Sequence, residues 1–267
     1  MIKGNAMGSI WALNPNGSLK WISTVYSKID SSPALSSDGS TLYFGSYNYK
    51  VYAMSTSNGK ILWEFSTGNM ITASSPAVTG SGSSAVIYIG SLDGYLYAIT
   101  GAGTLAWKYL SAGGISSSPI ITSNGNIYFV SSSYVYGLTP SGGEIFKQKL
   151  TLLGFQLGSL GLSPDEAMLY IGGMDGVLYA VSIPSGGSTI WSFKTKGVIY
   201  SPPTVSSDGA TVLVGSDKSL YAIRASNGEL LWEKITEASI MSSPVVNKNG
   251  RVFITSDNGQ IIAYDTI

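Results

Sequence analysis

The chain of 267 residues contains neither cysteine nor histidine. The first absence excludes disulfides, thiolate metal sites and a lipid-bearing cysteine. The second excludes Ser-His-Asp triads, Cys-His pairs and His-ligated zinc. Arginine occurs only at Arg224 and Arg251, although 15 basic residues face 15 acidic ones. Phosphate and carboxylate clamps favour the planar guanidinium, so its scarcity argues against them. At 11% charged residues in even balance, there is no electrostatic footprint for nucleic acid. No apolar run approaches the ~20 residues that a membrane span needs, and no basic-then-apolar leader opens the chain. Neither a span nor a visible signal is expected. The low charge and the wealth of Ser, Thr and Gly have the character of extracytoplasmic domains, so a periplasmic or secreted location is the expectation.

What is present is a repeat. The stretch 31–66 reads as four short strands, A near 31–36, B near 41–46, C near 50–55 and D near 60–65, because apolar-polar alternation runs between turn signals. Asp38-Gly39 and Asn58-Gly59 supply the positive backbone angles of tight reversals. The residue opening strand A recurs as Pro33, Pro76, Pro119, Leu160, Pro203 and Pro244, at steps of 41 or 43 residues. A strand-C pair recurs as Trp11-Ala12, Tyr52-Ala53, Tyr97-Ala98, Tyr136-Gly137, Tyr179-Ala180, Tyr221-Ala222 and Ile262-Ala263. A strand-D aromatic recurs as Trp21, Trp63, Trp107, Phe146, Trp191 and Trp232. A four-stranded repeat of ~40–50 residues is the signature of a propeller blade, whose two-faced sheet must pack on its neighbours. The tryptophans are expected to pack against the adjacent blade.

Five full units are expected, near 31–66, 74–109, 117–149, 158–194 and 201–234. Residues 1–23 would supply strands B, C and D, and 242–265 strands A, B and C, for 26 strands in one all-β domain over 1–267. Both ends carry B and C, so they cannot merge into one four-stranded blade. Seven blades with incomplete first and last blades is the expected architecture, a fragment of an eight-bladed ring the alternative. Exposed edges at the ends would leave a monomer, or a dimer through edge pairing. The unit at 158–194 departs most: Leu160 replaces Pro, Asp165-Glu166 replaces Asp-Gly, and the preceding aromatic is Phe146. Its lead-in, 150–157, is the most apolar loop and includes Phe155; repacking around the smaller ring and a partner-contacting edge are both open readings.

Ala53-x-Ser55-x-x-Asn58-Gly59-Lys60-x-x-Trp63, and Ala222-x-Arg224-x-x-Asn227-Gly228-Glu229-x-x-Trp232 at the same spacing, resemble the A-x-D-x-x-T/S-G-K/E-x-x-W docking motif of quinoprotein-type, PQQ-like repeat propellers. The resemblance covers essentially the whole chain. It implies a propeller fold shared by quinone-dependent dehydrogenases and by non-enzymatic relatives of the outer-membrane assembly lipoprotein (BamB) type. WD40 is disfavoured, since no Trp is followed by Asp and a Gly-His signature is impossible. The dehydrogenases use residues absent here: a vicinal Cys pair or a catalytic His, and an Arg on an inner strand. The resemblance therefore carries no cofactor residue onto this sequence, and neither pyrroloquinoline quinone with calcium nor any other cofactor is expected.

Carboxylates remain the one route to acid-base chemistry. Asp38, Asp93, Asp175, Asp208 and Asp257 fall in hairpin turns, where bonding to the local backbone accounts for them, and Asp257-Asn258-Gly259 alone lacks the oxygens that calcium needs. Asp30, Asp217 and Glu237 lie near loops, with nothing in the sequence to pair them. No catalytic or metal-binding residue is assigned. The loops before strand A hold the better signal. Four positions before each strand-A slot stand Ile29, Thr72, Ile115, Gln156, Ile199 and Ile240, expected to ring the channel mouth. Tyr26, Met70, Ile71, Tyr200 and Met241 adjoin them, and Tyr47 and Tyr49 come from B–C loops on the same face. Tyrosines offer apolar area plus a hydroxyl at low entropic cost. The expected function is a non-enzymatic scaffold that docks a protein or peptide partner on Tyr26, Ile29, Tyr47, Tyr49, Met70, Ile71, Phe155, Ile199, Tyr200, Ile240 and Met241. The alternatives are that the isoleucines only plug the channel, that the face binds glycan, or that the chain is an enzyme.

Overall fold

A computed structural model describes residues 2–3, 8–150 and 159–265. Among them are 26 strands and, apart from one short 3-10 turn at Gly82–Ser84, no helix. The strands form seven antiparallel meanders: a three-stranded sheet, five four-stranded sheets and a final three-stranded sheet. The second meander runs Ala34–Leu35, Thr41–Gly45, Lys50–Ser55 and Ile61–Ser66, the A, B, C and D strands that the alternation predicts. Strand A is short because Pro33, just before it, has no N–H to give to a ladder. In the fifth meander Leu160 restores that N–H, and the strand lengthens to Ser159–Leu162.

The chain forms two compact units, 1–121 with 139–143 and 122–138 with 144–267. Within each, one device repeats from meander to meander. In the first unit the indole N–H of Trp21 donates to the Thr56 carbonyl, that of Trp63 to Gly101 and that of Trp107 to Pro140, each at 2.9 Å. In the second, Trp191 donates to the Ala225 carbonyl, also at 2.9 Å. Every acceptor lies in the C–D turn of the following meander. The ring then lies flat on that turn's glycine: a Cβ added to Gly59, Gly103, Gly142 or Gly228 would fall 2.6–2.8 Å from the tryptophan. All four glycines have φ between 72° and 84°, a region costly for other residues. Behind the ring stands the small residue of the strand-C pair, Ala12, Ala53, Ala98, Ala180 or Ala222, directly opposite in register, with a bulge following it. Beside it lies a strand-B tyrosine: Tyr43, Tyr88 and Tyr170 sit 5.7–5.8 Å from Trp63, Trp107 and Trp191. The glycine, the alanine and the tryptophan thus recur together because they bound one slot.

Phe146 fills the slot without an N–H. Its ring still meets Gly187 of the next meander, and Gly137 replaces the usual alanine. The Asp165-Glu166 turn also keeps the shape of an Asp-Gly turn, with Glu166 at φ 57°. Its carboxylate accepts from the Ser123 N–H at 2.9 Å and the Ser123 hydroxyl at 2.7 Å. Asp38, Asp165 and Asp208 organise three A–B turns alike, Oδ1 accepting from a serine hydroxyl two residues before and an N–H two residues after. The serine hydroxyl bond, then the N–H, holds each carboxyl below the ordinary 3.8.

The slot predicts that Trp63→Ala destabilises by about 3–5 kcal/mol. Gly103→Val should cost a comparable amount although it adds apolar atoms, both read from urea denaturation. Equal stability of Gly103→Val and the parent would refute the packing. The three turn aspartates titrate lower in the fold than in the unfolded chain, so they stabilise above about pH 4 and that contribution fades as pH falls through their folded values. Melting temperature should be level between about pH 7 and 5 and drop below about 4. Ser206→Ala should raise the Asp208 pKa measured by carboxyl carbon NMR.

Candidate functional site

The loops joining strand D to the next strand A are strapped to B–C turns on either side. In the first unit, the Thr67 N–H and hydroxyl reach the Tyr49 carbonyl at 2.7 and 2.9 Å, and the Leu92 N–H donates to the Met70 carbonyl at 3.0 Å. The Ser111 hydroxyl repeats the clasp on Gly94 at 2.9 Å. In the second unit, Thr195 and Thr236 do so on the Gly176 and Lys218 carbonyls at 2.7 and 3.0 Å. The Asp257 N–H donates to the Ser239 carbonyl at 2.9 Å. Loop side chains are thus displayed from a hydrogen-bonded frame rather than from free coil.

The isoleucines predicted for the surface are not on it. Ile29, Ile71, Ile199 and Ile240 are 0–4% exposed. Ile71, Ile199 and Ile240, with Ile115, each press a Cγ2 onto the glycine ending the previous strand B: a Cβ on Gly45, Gly90, Gly172 or Gly215 would fall 2.2–2.5 Å from it. They are core packing between adjacent meanders and leave the candidate surface. Thr72, counted four before Pro76, is displaced from the ring by Ile71, because this loop is one residue longer before its proline. The Thr72 hydroxyl instead faces Ser116 at 3.4 Å. Phe155 and the rest of the 150–157 lead-in from 151 onward lie outside the described residues.

The tyrosines and methionines do reach solvent. In the first unit Tyr26 is 90% exposed and Tyr49 47%, with Tyr47 and Met70 half-buried. The Tyr47 hydroxyl donates to Asp30 at 2.6 Å, Lys28 pairs with the same carboxylate at 2.7 Å, and its ammonium lies 4.8 Å from the Tyr47 ring. Burial, then the Asp30 bond, pushes the Tyr47 pKa up. Tyr26 and Tyr49 adopt φ of 53° and 69°. Tyr49 stands at the B–C turn position that Gly94 and Gly176 hold elsewhere, so a bulky ring is kept where glycine is cheaper.

In the second unit, Tyr200 and Met241 line one pocket of 450 Å³ with Gly197, Val198, Ser239, Asp217 and Asp257. The structure brings together two residues predicted for the surface with Asp217, which the sequence left unpaired, and Asp257, which it assigned to a hairpin turn. A signal for them existed. Asp217 and Asp257 follow Ser216 and Ser256 at the end of strand B, the column that Tyr47 and Leu92 occupy after Ser46 and Ser91. The pocket is an apolar and acidic concavity, suited to a basic side chain flanked by apolar groups.

Both arginines are committed elsewhere. Arg224 pairs with Glu229 at 3.0 Å and Arg251 with Asp265 at 2.5 Å, both on exposed strand ends. No three acidic side chains gather among the described residues. The buried Tyr97 hydroxyl donates to Asp93 at 2.6 Å and that of Tyr179 to Asp175 at 3.1 Å. Burial first, and then the Asp175 charge, push the Tyr179 pKa up to about 12, so it stays protonated at neutral pH.

Seven meanders, the first five each seating an aromatic on the next one's turn, define a β-propeller of PQQ-like repeats, incomplete at its first and last blades. A family model, that of the outer membrane protein assembly factor BamB, matches residues 6–151, 131–245 and 174–267, and the chain belongs to this family. The crystal structure of BamB from Moraxella catarrhalis shares the fold at TM-score 0.81 and 17% identity, over 98% of this chain and 80% of that one. Among curated proteins, none matches the chain.

Replacing Tyr49 with glycine should relieve its backbone, raising stability by about 1 kcal/mol even though an aromatic ring is lost. Denaturant midpoints of Tyr49→Gly and Tyr49→Ala separate the effects: only glycine should exceed the parent.

Proposed function

We propose that the chain is a non-enzymatic, extracytoplasmic binding module that docks a protein segment on its D–A loops and B–C turns. The family match supports a role in outer-membrane protein assembly, the activity that the family description names. The observation that carries the docking face is the pocket uniting Tyr200 and Met241 with Asp217 and Asp257. Its chemistry asks for a segment with a Lys or Arg beside apolar residues, because an ammonium or guanidinium meets both carboxylates while its stem covers the methionine. In the first unit Tyr26, Tyr47 and Tyr49 supply rigid amphipathic contact area of the kind that binding surfaces use. The strain kept at Tyr26 and Tyr49 supports the same reading, since backbone strain persists where function holds it. A quinone does not fit this chain. Both arginines are taken by exposed carboxylates, no cysteine pair exists, and the reading includes no step through that cofactor.

A photoreactive phenylalanine analogue at position 26 or 200 should crosslink a protein partner in the native envelope, whereas the same group at Leu62, exposed on a D strand, should not. Serine at Tyr200 and Met241 together should abolish the adduct captured from a third position, Ser239. Asp217→Asn with Asp257→Asn should weaken binding and flatten its salt dependence. Undiminished capture by the double-serine protein would refute the docking face.

A further inference from the structure

Neighbouring A–B turns are closed on one another by polar contacts in both units. In the first, the Ser37 N–H donates to the Gly80 carbonyl of the following turn at 3.0 Å. In the second, the N–H and hydroxyl of Ser123 meet the Glu166 carboxylate of the next turn. Neither closure is open to the fifth and sixth meanders. Pro164 stands where Ser37 and Ser123 stand and has no N–H to give. Gly209 stands where Glu166 stands and has no side chain to reach back. The two only touch, since a Cβ on Gly209 would fall at an ordinary 3.7 Å from the Pro164 ring. At this junction lies a cavity of 310 Å³, lined by Pro164, Asp165, Met168, Tyr170, Asp208 and Ala225 among others.

The lining contains a buried hydroxyl short of a partner. Tyr170 is 2% exposed, and its hydroxyl reaches only the Ala225 carbonyl, at 3.5 Å. That is beyond the roughly 2.5–3.0 Å of a good O–H···O bond, and the same carbonyl already accepts from Trp191 at 2.9 Å. Thr41 and Asn126, two positions before the equivalent Tyr43 and Tyr128, serve those hydroxyls. Met168 in their place has a thioether, a weak acceptor. A buried polar group so placed costs free energy until something meets it. Two carboxylates share the cavity with it. Oδ1 of Asp165 and of Asp208 holds its own turn, so the second oxygen of each is the one a ligand would meet. Three acceptors in a small space match the three N–H donors of a primary ammonium. A quaternary ammonium has no N–H and is held by aromatic faces, and Tyr170 is the one aromatic among the described residues of the lining. We propose that this cavity binds a small aliphatic primary amine, its ammonium shared by Asp165, Asp208 and the Tyr170 hydroxyl. The alkyl chain lies on Met168 and Pro164, as the stem of a lysine covers apolar surface. The volume stands at the small end of ligand pockets, about 300–1,000 Å³, which suits a compact amine. The cavity lies at the A–B and C–D turns, the opposite strand ends from the loops that carry Tyr200 and Met241, so either site can fail without the other.

The test titrates the full chain with n-pentylamine at neutral pH in a calorimeter, and saturable binding is expected. Pentanol, which lacks the charge, and pentyltrimethylammonium, which lacks the N–H groups, should each bind on the order of tenfold more weakly or less. Tyr170→Phe should weaken the amine by a similar factor, the loss of one hydrogen bond to a charged group. Ser226 also lines the cavity and is exposed. Ser226→Arg, checked for folding by circular dichroism, sets a tethered cation on the same carboxylates and should remove binding. A parallel titration with Nα-acetyl-lysine amide separates the two sources of such an ammonium, a free amine and a lysine side chain. The tighter of the two names the source, and saturable binding of either supports the site. No saturable binding of either, equal binding of pentylamine and pentanol or of pentylamine and its quaternary analogue, or binding unchanged by Ser226→Arg would overturn the proposal.

Discussion

One contact underlies this architecture: an indole laid on a glycine of the next meander, its N–H closed on a carbonyl of the same turn. A tryptophan has a large apolar face and one obligatory donor, so burying it well requires a flat apolar floor and an acceptor at its rim. The C–D turn offers both at once. Positive φ at the glycine tips its carbonyl-bearing neighbours outward and leaves no side chain over the ring. Because floor and ring belong to different meanders, no sheet completes its own core. Stability must then resemble a sum of neighbour interfaces rather than one collective core.

That constraint also frees the loops. The tryptophan slot and the isoleucine-on-glycine contact fix adjacent meanders at the two ends of their strands. The clasps of Thr67, Ser111, Thr195 and Thr236 then bind four of the D–A loops to B–C turns through backbone carbonyls, making no demand on the exposed side chains. One turn position can therefore hold Gly94 and Gly176 in two meanders and Tyr49 in another. One column can likewise hold Tyr47, Leu92, Asp217 and Asp257. Variation collects where the frame does not need a particular residue, which is where a binding surface can be written without loss of fold.

Much of this was legible in the sequence, because the slot imposes residue types at fixed spacing. The recurring Pro, Tyr-Ala and Trp landmarks imply 26 strands in groups of three, four and three, and the strands lie where those landmarks put them. Side-chain direction in the loops was not legible. An isoleucine beside a run of tyrosines reads as surface until its partner is known, and the partner of Ile71 is Gly45, 26 residues earlier and without a side chain to advertise the contact. Counting back from Pro76 selected Thr72 over Ile71 because proline spacing is set by strand A, not by the loop. That Asp217 and Asp257 line one pocket was hidden for a related reason: Asp257 reads as an ordinary turn residue and Asp217 as an isolated loop residue, and only the packing of two meanders brings them to one cavity.

The fifth meander shows how far the frame bends before it breaks. It has lost the proline, the turn glycine and, just before it, the tryptophan, yet each loss is met locally. Leu160 regains a ladder N–H and lengthens strand A. Glu166 accepts the positive φ of the missing glycine, and its carboxylate gathers the N–H and hydroxyl of Ser123 from the adjacent turn. Phe146 gives up the indole bond but keeps its glycine floor, Gly187, and takes extra room from Gly137. Of the slot's parts, the glycine beneath the ring persists through all these changes. Geometry at that point, more than the hydrogen bond at the ring's rim, is what the repeat preserves: an orphaned carbonyl at a turn can turn to water, whereas a Cβ under the ring has nowhere to go.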